Sequence, residues 1–391
     1  MNRTIFRVVL PVGCLATQSA GRVLHTPFAA PSPLATAKIA IQLPSNPLRL
    51  AALLVLALTL APAAAQPAPA PATQPAPAAS AAVPVPAPAQ NRTLHDWLRR
   101  MREASRVHSY TGTFVVSADG VMSSAKIWHV CEGGQQMERV ETLSGVPRSI
   151  FRHNDQVITF LPEHKLARSE KRESLGLFPE LFQSADSRLA DFYKVRHGGR
   201  ERVAGVEADI FMLVPKDTLR FGYRVWTERT NGLVVKLQTL DTDGRVLEQA
   251  AFSELELDAP LKMETLQKQM NKLEGYRVEK TTLVKTTASA EGWTLAAPVP
   301  GFHAISCYKR PAGAAVGAGQ APLQWVFSDG LASVSIFAEP LDPQRQRQEA
   351  SLSMGATQTL TRPLDGYWIT VMGEVPMTTL RLFASGLARK K

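Results

Sequence analysis

The side chains that could do chemistry are few and scattered. Cys14, Cys131 and Cys307 lie far apart, and no CxxC pair or Cys/His spacing offers zinc its four ligands. The eight histidines are spread along the chain. His129 and His153 fall near the ends of β-rich runs, where a surface or hydrogen-bonded core histidine is the ordinary occupant. There is no Gly-x-Ser-x-Gly elbow, no His-Glu-x-x-His and no Walker loop. Gly313 to Gly319 contains Gly-Ala-Gly but lacks the strand–helix setting of a dinucleotide loop. Asp241-Thr-Asp243-Gly244 lacks the third acidic position and distal Glu of a calcium loop, and a hairpin turn explains it better. A nucleophile and base brought together from distant segments would escape such a search, because triads are spatial. The motifs imply no catalytic residue, no metal and no cofactor.

Composition bounds the partners. A chain of 391 residues holds two ordinary domains, and 44 Lys and Arg against 34 Asp and Glu give a formal charge of +10. That excess suits an acidic protein segment or lipid phosphates, and equally a merely soluble basic surface. No Lys/Arg cluster carries interleaved aromatics, so nucleic acid is not expected. The sequence leaves a homo-oligomer open.

The elements fall in order. Residues 1–65 read as an N-terminal extension and signal peptide: Arg49, an apolar run from Leu50 to Leu60, and cleavage after Ala65 in Ala63-Ala64-Ala65. The apolar run is shorter than the roughly 20 residues a spanning helix needs. A Leu or Val start codon near Leu43 would account for what precedes it. Val12-Gly13-Cys14 as a lipoprotein box is opposed by Arg7 and Pro11. With Cys14 lost, Cys131 and Cys307 could form one disulfide, but they fall in different expected domains, which favours two buried thiols. Residues 66–90 are an Ala/Pro/Gln tether.

Residues 91–258 read as the first domain. Thr93 and Asp96 make a capping box, and Leu94, Trp97, Leu98, Met101 and Val107 follow helical spacing. Five β-rich runs between Tyr110 and Leu161 are separated by Ala-Asp-Gly, Glu-Gly-Gly, Leu-Ser-Gly and His-Asn-Asp turns. From Ser169 to Gly199, Leu175, Leu177, Phe178, Leu181, Phe182, Leu189, Phe192 and Tyr193 have helix-compatible spacing. Strand resumes at Val206, and Phe221 to Leu257 forms a meander broken by Asn231-Gly232 and Asp243-Gly244. Residues 259–292 read as a linker that permits relative motion, with a short helix in Leu261 to Tyr276. Residues 293–387 are a smaller second domain: a strand near Gly301 to Tyr308, a hairpin around Ser328-Asp329-Gly330, a strand at Tyr367 to Met372 and a helix in Thr378 to Ala384. A basic tail, 388–391, closes the chain. The fold class is α+β, an open antiparallel sheet covered by helices plus this second α+β domain.

Several stretches resemble the MucB/RseB family of periplasmic regulators of the envelope-stress sigma factor. They are Tyr110-Thr-Gly-Thr-Phe-Val-Val116, His129 two residues beyond Ile127, Met137-Glu-Arg-Val-Glu-Thr-Leu-Ser-Gly-Val-Pro-Arg148, the run from Tyr223 to Phe252, Val326 to Pro340, Gly355-Ala-Thr357 and Thr370 to Pro376. Cys131-Glu-Gly-Gly departs from the family, which usually carries a small polar turn without cysteine there. The resemblance covers nearly everything after Asn91. It implies that the first domain is a half-barrel like that of the LolA and LppX carriers.

That resemblance also implies a function. Such a protein would bind the periplasmic part of a membrane anti-sigma factor of the RseA/MucA type and shield it from the site-1 protease. Lipopolysaccharide or another acylated ligand would release it. A groove for acyl chains would be lined by Phe114, Val116, Ile127, Phe160, Phe178, Leu181, Phe182 and Trp226, although each taken singly reads as core. Partner contacts are expected near the hairpin at Ser328, Asp329 and Gly330. The competing reading is a lipid or lipoprotein carrier of the LolA type, which needs no second domain.

Overall fold

The computed structural model describes residues 93–171, 178, 188–280, 283–309, 322–342 and 348–390. The leader with Ala65, the tether, Leu181, Phe182 and the Gly/Ala loop lie outside the described residues.

The first domain opens with helix α1 (Leu94–Val107), capped by Thr93, whose hydroxyl accepts from the Asp96 N–H while Asp96 accepts from the Thr93 N–H. Its apolar stripe, Trp97, Leu98, Met101 and Ala104, is buried. The strands follow as β1 (Tyr110–Ala118), β2 (Val121–Glu132), β3 (Gln135–Thr142), β4 (Ser149–His153), β5 (Gln156–Leu161) and β6 (Leu166–Lys171). After the single turn of α2 (Leu189–Phe192) come β7 (Tyr193–Val203), β8 (Val206–Pro215), β9 (Gly222–Glu228), β10 (Val234–Leu240) and β11 (Val246–Leu257), then α3 (Met263–Met270) and β12 (Arg277–Lys280).

These strands make one open sheet in the order β12-β6-β5-β4-β3-β2-β1-β11-β10-β9-β8-β7. Two meanders of hairpins are therefore joined at β1, which pairs with both β2 and β11. Alternation along each strand gives the sheet two apolar faces. On one, Trp97 and Met101 of α1 pack with Phe114, Ile127, Val140, Phe211 and Phe252, and the Trp97 and Phe211 rings lie 4.3 Å apart. On the other, Val130, Met137, Phe151, Ile158 and Phe160 are covered by Met263, Leu266 and Met270 of α3.

The second sheet has the order β13-β15-β16-β17-β20-β19-β18, built from β13 (Val284–Lys285), β15 (His303–Lys309), β16 (Leu323–Ser328), β17 (Ser333–Pro340), β18 (Ala350–Met354), β19 (Thr357–Leu364) and β20 (Tyr367–Gly373). Helix α4 (Met377–Gly386) buries Leu380 and Phe383 in its core. A small pair, β14 (Trp293–Leu295) with β21 (Leu387–Arg389), closes the domain.

Several expectations change. Among the described residues of the stretch expected to be helical, Leu189–Phe192 forms helix, while Tyr193 onward alternates and pairs with β8. The segment 259–292 is not a plain connection: α3 covers the first sheet, β12 extends it alongside β6, and β13 joins the second. Arg389 of the expected tail lies in β21, its guanidinium 4.1 Å from the Tyr367 ring centre. Cys131 and Cys307 are both thiols on different sheets; Cys307 is buried as expected, but Cys131 is only half-buried.

Candidate functional site

The hairpin at Ser328-Asp329-Gly330 is built by local hydrogen bonds. The Ser328 hydroxyl donates to the Ala332 carbonyl and accepts the Gly330 N–H, and Asp329 Oδ1 accepts the Leu331 and Ala332 N–H groups. These bonds tighten the β16–β17 turn and leave Asp329 Oδ2 pointing away from it. That oxygen accepts from Arg220 Nε at 2.7 Å, and both side chains are fully buried. Within the hairpin expected to meet a partner, Asp329 and Gly330 are buried, the acid holding the first domain, and Ser328 is half-buried.

Arg220 is the centre of this joint. It sits just ahead of β9, in a loop where Asp217 Oδ1 accepts the Leu219 N–H. Its Nη1 donates to Asp217 and its Nη2 to the Pro300 carbonyl at 2.8 Å. The guanidinium lies 4.2 Å from the ring centre of Phe192 and 4.9 Å from that of Phe302. Gly301 leaves the room: its φ is +80°, and a Cβ there would collide with Arg220 Nη2. Nearby, Thr379 of α4 donates its hydroxyl to the Leu219 carbonyl at 2.8 Å. A second contact links the β1–β2 and β18–β19 turns, where the Gly355 N–H donates to Asp119. Burial acts to push the Asp329 carboxyl up, against the Leu331 and Ala332 N–H groups and the Arg220 charge, and the net direction is upward. An ion pair taken out of water this completely fixes geometry more than it adds stability.

The expected groove residues do not share one surface. Phe114, Val116, Ile127 and Phe178 are buried together with α1, the Phe114 and Phe178 rings 5.7 Å apart. Phe160 lies on the opposite face, edge-on to Tyr276 at 5.1 Å. Trp226 is buried in the same cluster as Phe114, Val116, Ile127 and Phe178. Its indole donates to Glu201, and the Lys236 ammonium stands 4.3 Å from its ring centre. A polar cleft of about 470 Å³ does open beside α1, lined by Arg99, Arg100, Glu103, His108 and Asn231. Such a lining suits charged groups, not acyl chains.

A polar ladder crosses the first sheet on the α1 face. Register places Tyr110, His129, Glu138 and Arg152 side by side on β1 to β4. His129 Nδ1 is 2.8 Å from Glu138 Oε1, Arg152 Nε donates to Glu138 Oε2 at 2.7 Å, and the Tyr110 ring stacks on His129 at 4.8 Å. Burial acts to raise the Glu138 pKa, but the His129 hydrogen bond and the Arg152 charge outweigh it and bring the value down to about 2. Sequence reading passed over this ladder. Among the described residues no group of three or more His, Cys, Asp or Glu could hold a metal ion, and no helix is long and apolar enough to cross a membrane.

Comparison with known proteins gives these features a setting. The model of the MucB/RseB N-terminal domain matches residues 93–270, and that of the MucB/RseB C-terminal domain matches residues 287–388. The chain belongs to the MucB/RseB family. Among its relatives is the sigma factor AlgU regulatory protein MucB of Pseudomonas aeruginosa, 31% identical over 73% of this chain and 87% of that one. The sigma-E factor regulatory protein RseB of Escherichia coli K12 is 25% identical over 74% of this chain and 89% of its own length. A solved complex of P. aeruginosa MucA and MucB matches 76% of this chain and 99% of that chain at 27% identity, with a TM-score of 0.59. In MucB/RseB terms, Arg220 falls in the N-terminal domain and Asp329 in the C-terminal domain, so the buried pair ties the two family modules together.

Proposed function

We propose that this protein is a periplasmic regulator that binds the periplasmic part of a membrane anti-sigma factor and so restrains an envelope-stress sigma factor. The observation that carries this reading is the presence of both MucB/RseB modules, in order, over the described chain. MucB, which is similar over 76% of this chain, has been solved in complex with MucA(peri). Binding would shield the anti-sigma factor from its site-1 protease, and lipopolysaccharide or another acylated ligand would release it. For that release the lipid must bind the liberated form more tightly than the complexed one, since only differential affinity moves an equilibrium. The formal charge of +10 favours an acidic peptide or lipid phosphates, and either contact weakens with salt.

The test is a titration of the chain with the periplasmic segment of its own organism's anti-sigma factor, with and without lipopolysaccharide. Tight binding that lipopolysaccharide competes away supports the regulator. Lipid retention without anti-sigma binding leaves a carrier, and binding of neither removes both readings.

A further inference from the structure

The buried ladder ends at a sulfur. Cys131 follows His129 by two residues on β2, so the two side chains share a face, and His129 Nε2 lies 3.1 Å from Cys131 Sγ. The far side of the ring is fixed. Glu138 is held ionised beside Arg152, so both its oxygens accept, and His129 Nδ1 must carry the proton that it gives to Glu138 Oε1. In the neutral imidazole, this leaves the lone pair of Nε2 facing the thiol. Nucleophile, base and orienting carboxylate stand in hydrogen-bond sequence, the arrangement by which proteins activate a cysteine.

We propose that Cys131 is a modification site, a thiol activated by His129 that reacts with small hydroperoxides. His129 Nε2 takes the thiol proton and the sulfur attacks one peroxide oxygen. An S–O bond forms as the O–O bond breaks, and the proton passes to the leaving hydroxide to give water. Sulfur is oxidised by two electrons to a sulfenic acid while the peroxide is reduced. Cys131 is half-buried at the β2–β3 turn, which admits a small oxidant and hinders a protein thiol. The groups facing the pair are Tyr110 from β1, Glu138 from β3, Arg152 behind it on β4, and His108 after α1, whose imidazole meets Asp258 at 3.5 Å. The His108 carbonyl, 4.0 Å from the sulfur, is another acceptor within reach of the thiol, farther than the imidazole at 3.1 Å. Cys307 supplies an internal contrast, its thiol pushed up to about 11 by burial and by the Glu291 charge.

The experiment treats the full chain with hydrogen peroxide at neutral pH, traps sulfenic acid with a cyclic diketone and reads each cysteine by peptide mass spectrometry. Native Cys131 is expected to react on the order of 100-fold faster than the same cysteine in urea-unfolded chain, with Cys307 slower when native. Native Cys131 reacting no faster than unfolded Cys131 overturns the proposal without any variant being needed. In folded His129→Gln the advantage is expected to vanish, and its persistence removes His129 as the base. Glu138→Gln is expected to move the pH at which the rate is half-maximal. A slower rate with an unmoved profile would make Glu138 structural only.

Discussion

At the scale of the residue, two buried charges set what the fold tolerates. Glu138 is ionised in the fold far below the usual carboxylate range, so its pairing with His129 and Arg152 stabilises the folded chain fully above about pH 4.5 and is lost as pH falls toward about 2. Urea midpoints measured across that window should drop steeply for the native chain and more gently for Glu138→Gln. Equal slopes would mean that other carboxylates govern the acid limb. Arg220 behaves differently because its partner stays behind. Arg220→Met leaves Asp329 buried without its cation, and a loss of about 3–5 kcal/mol is expected from denaturant unfolding of the second domain's transition. A change within error would show that Asp329 finds other partners.

At the scale of the element, α3 and β12 belong to the first sheet. Leu266 is 5% exposed against Met137, Phe151 and Ile158, so Leu266→Ala should cost about 2–5 kcal/mol. By the same packing, a fragment ending at Asp258 should aggregate while one ending at Lys280 stays monodisperse in size-exclusion chromatography. Equal behaviour of the two fragments would refute the covering role of α3. Much of this was legible. The capping box, the turns and the β2–β5 and β8–β11 runs follow from residue type and alternation alone. Even the His129–Glu138 pair could have been counted, since the Gly133-Gly134 turn pairs Glu132 with Gln135 and sets every earlier partner. Strand β18 could not have been read, because all of its residues are exposed and no alternation marks it. Nor could Arg220 meeting Asp329, a contact between a loop of the first domain and a turn of the second that no local pattern encodes. Of the described groove residues only Phe160 falls in the other cluster, because apolar character was read without regard to strand parity, which separates Phe160 from Val157.

At the scale of the whole molecule, the joint around Arg220 decides whether the two sheets move as one body. Gly301 is its weakest point, since any side chain must displace the guanidinium and adopt a positive φ. Gly301→Ala is therefore expected to loosen the domains, read as a larger radius of gyration in small-angle scattering with both sheets intact by circular dichroism. An unchanged radius would show that Thr379 and the Asp119–Gly355 contact suffice. If the anti-sigma factor is gripped by both modules, the same substitution should weaken its binding while leaving the folded content untouched.

The seam between β1 and β11 also dictates a schedule. It pairs Tyr110 with Leu257, whereas the meanders on either side pair residues a short turn apart. The hairpins can form as soon as their own residues are available, but the first strand has to wait for the eleventh, and closing so long a loop is entropically slow. A chain threaded through a membrane from its N-terminus would thus emerge with its central strand half-paired, displaying the open backbone of β1 until Leu257 follows. Refolding after dilution from urea should accordingly slow when the seam is weakened, as by Phe252→Leu, more than when a single hairpin is weakened by an equal amount.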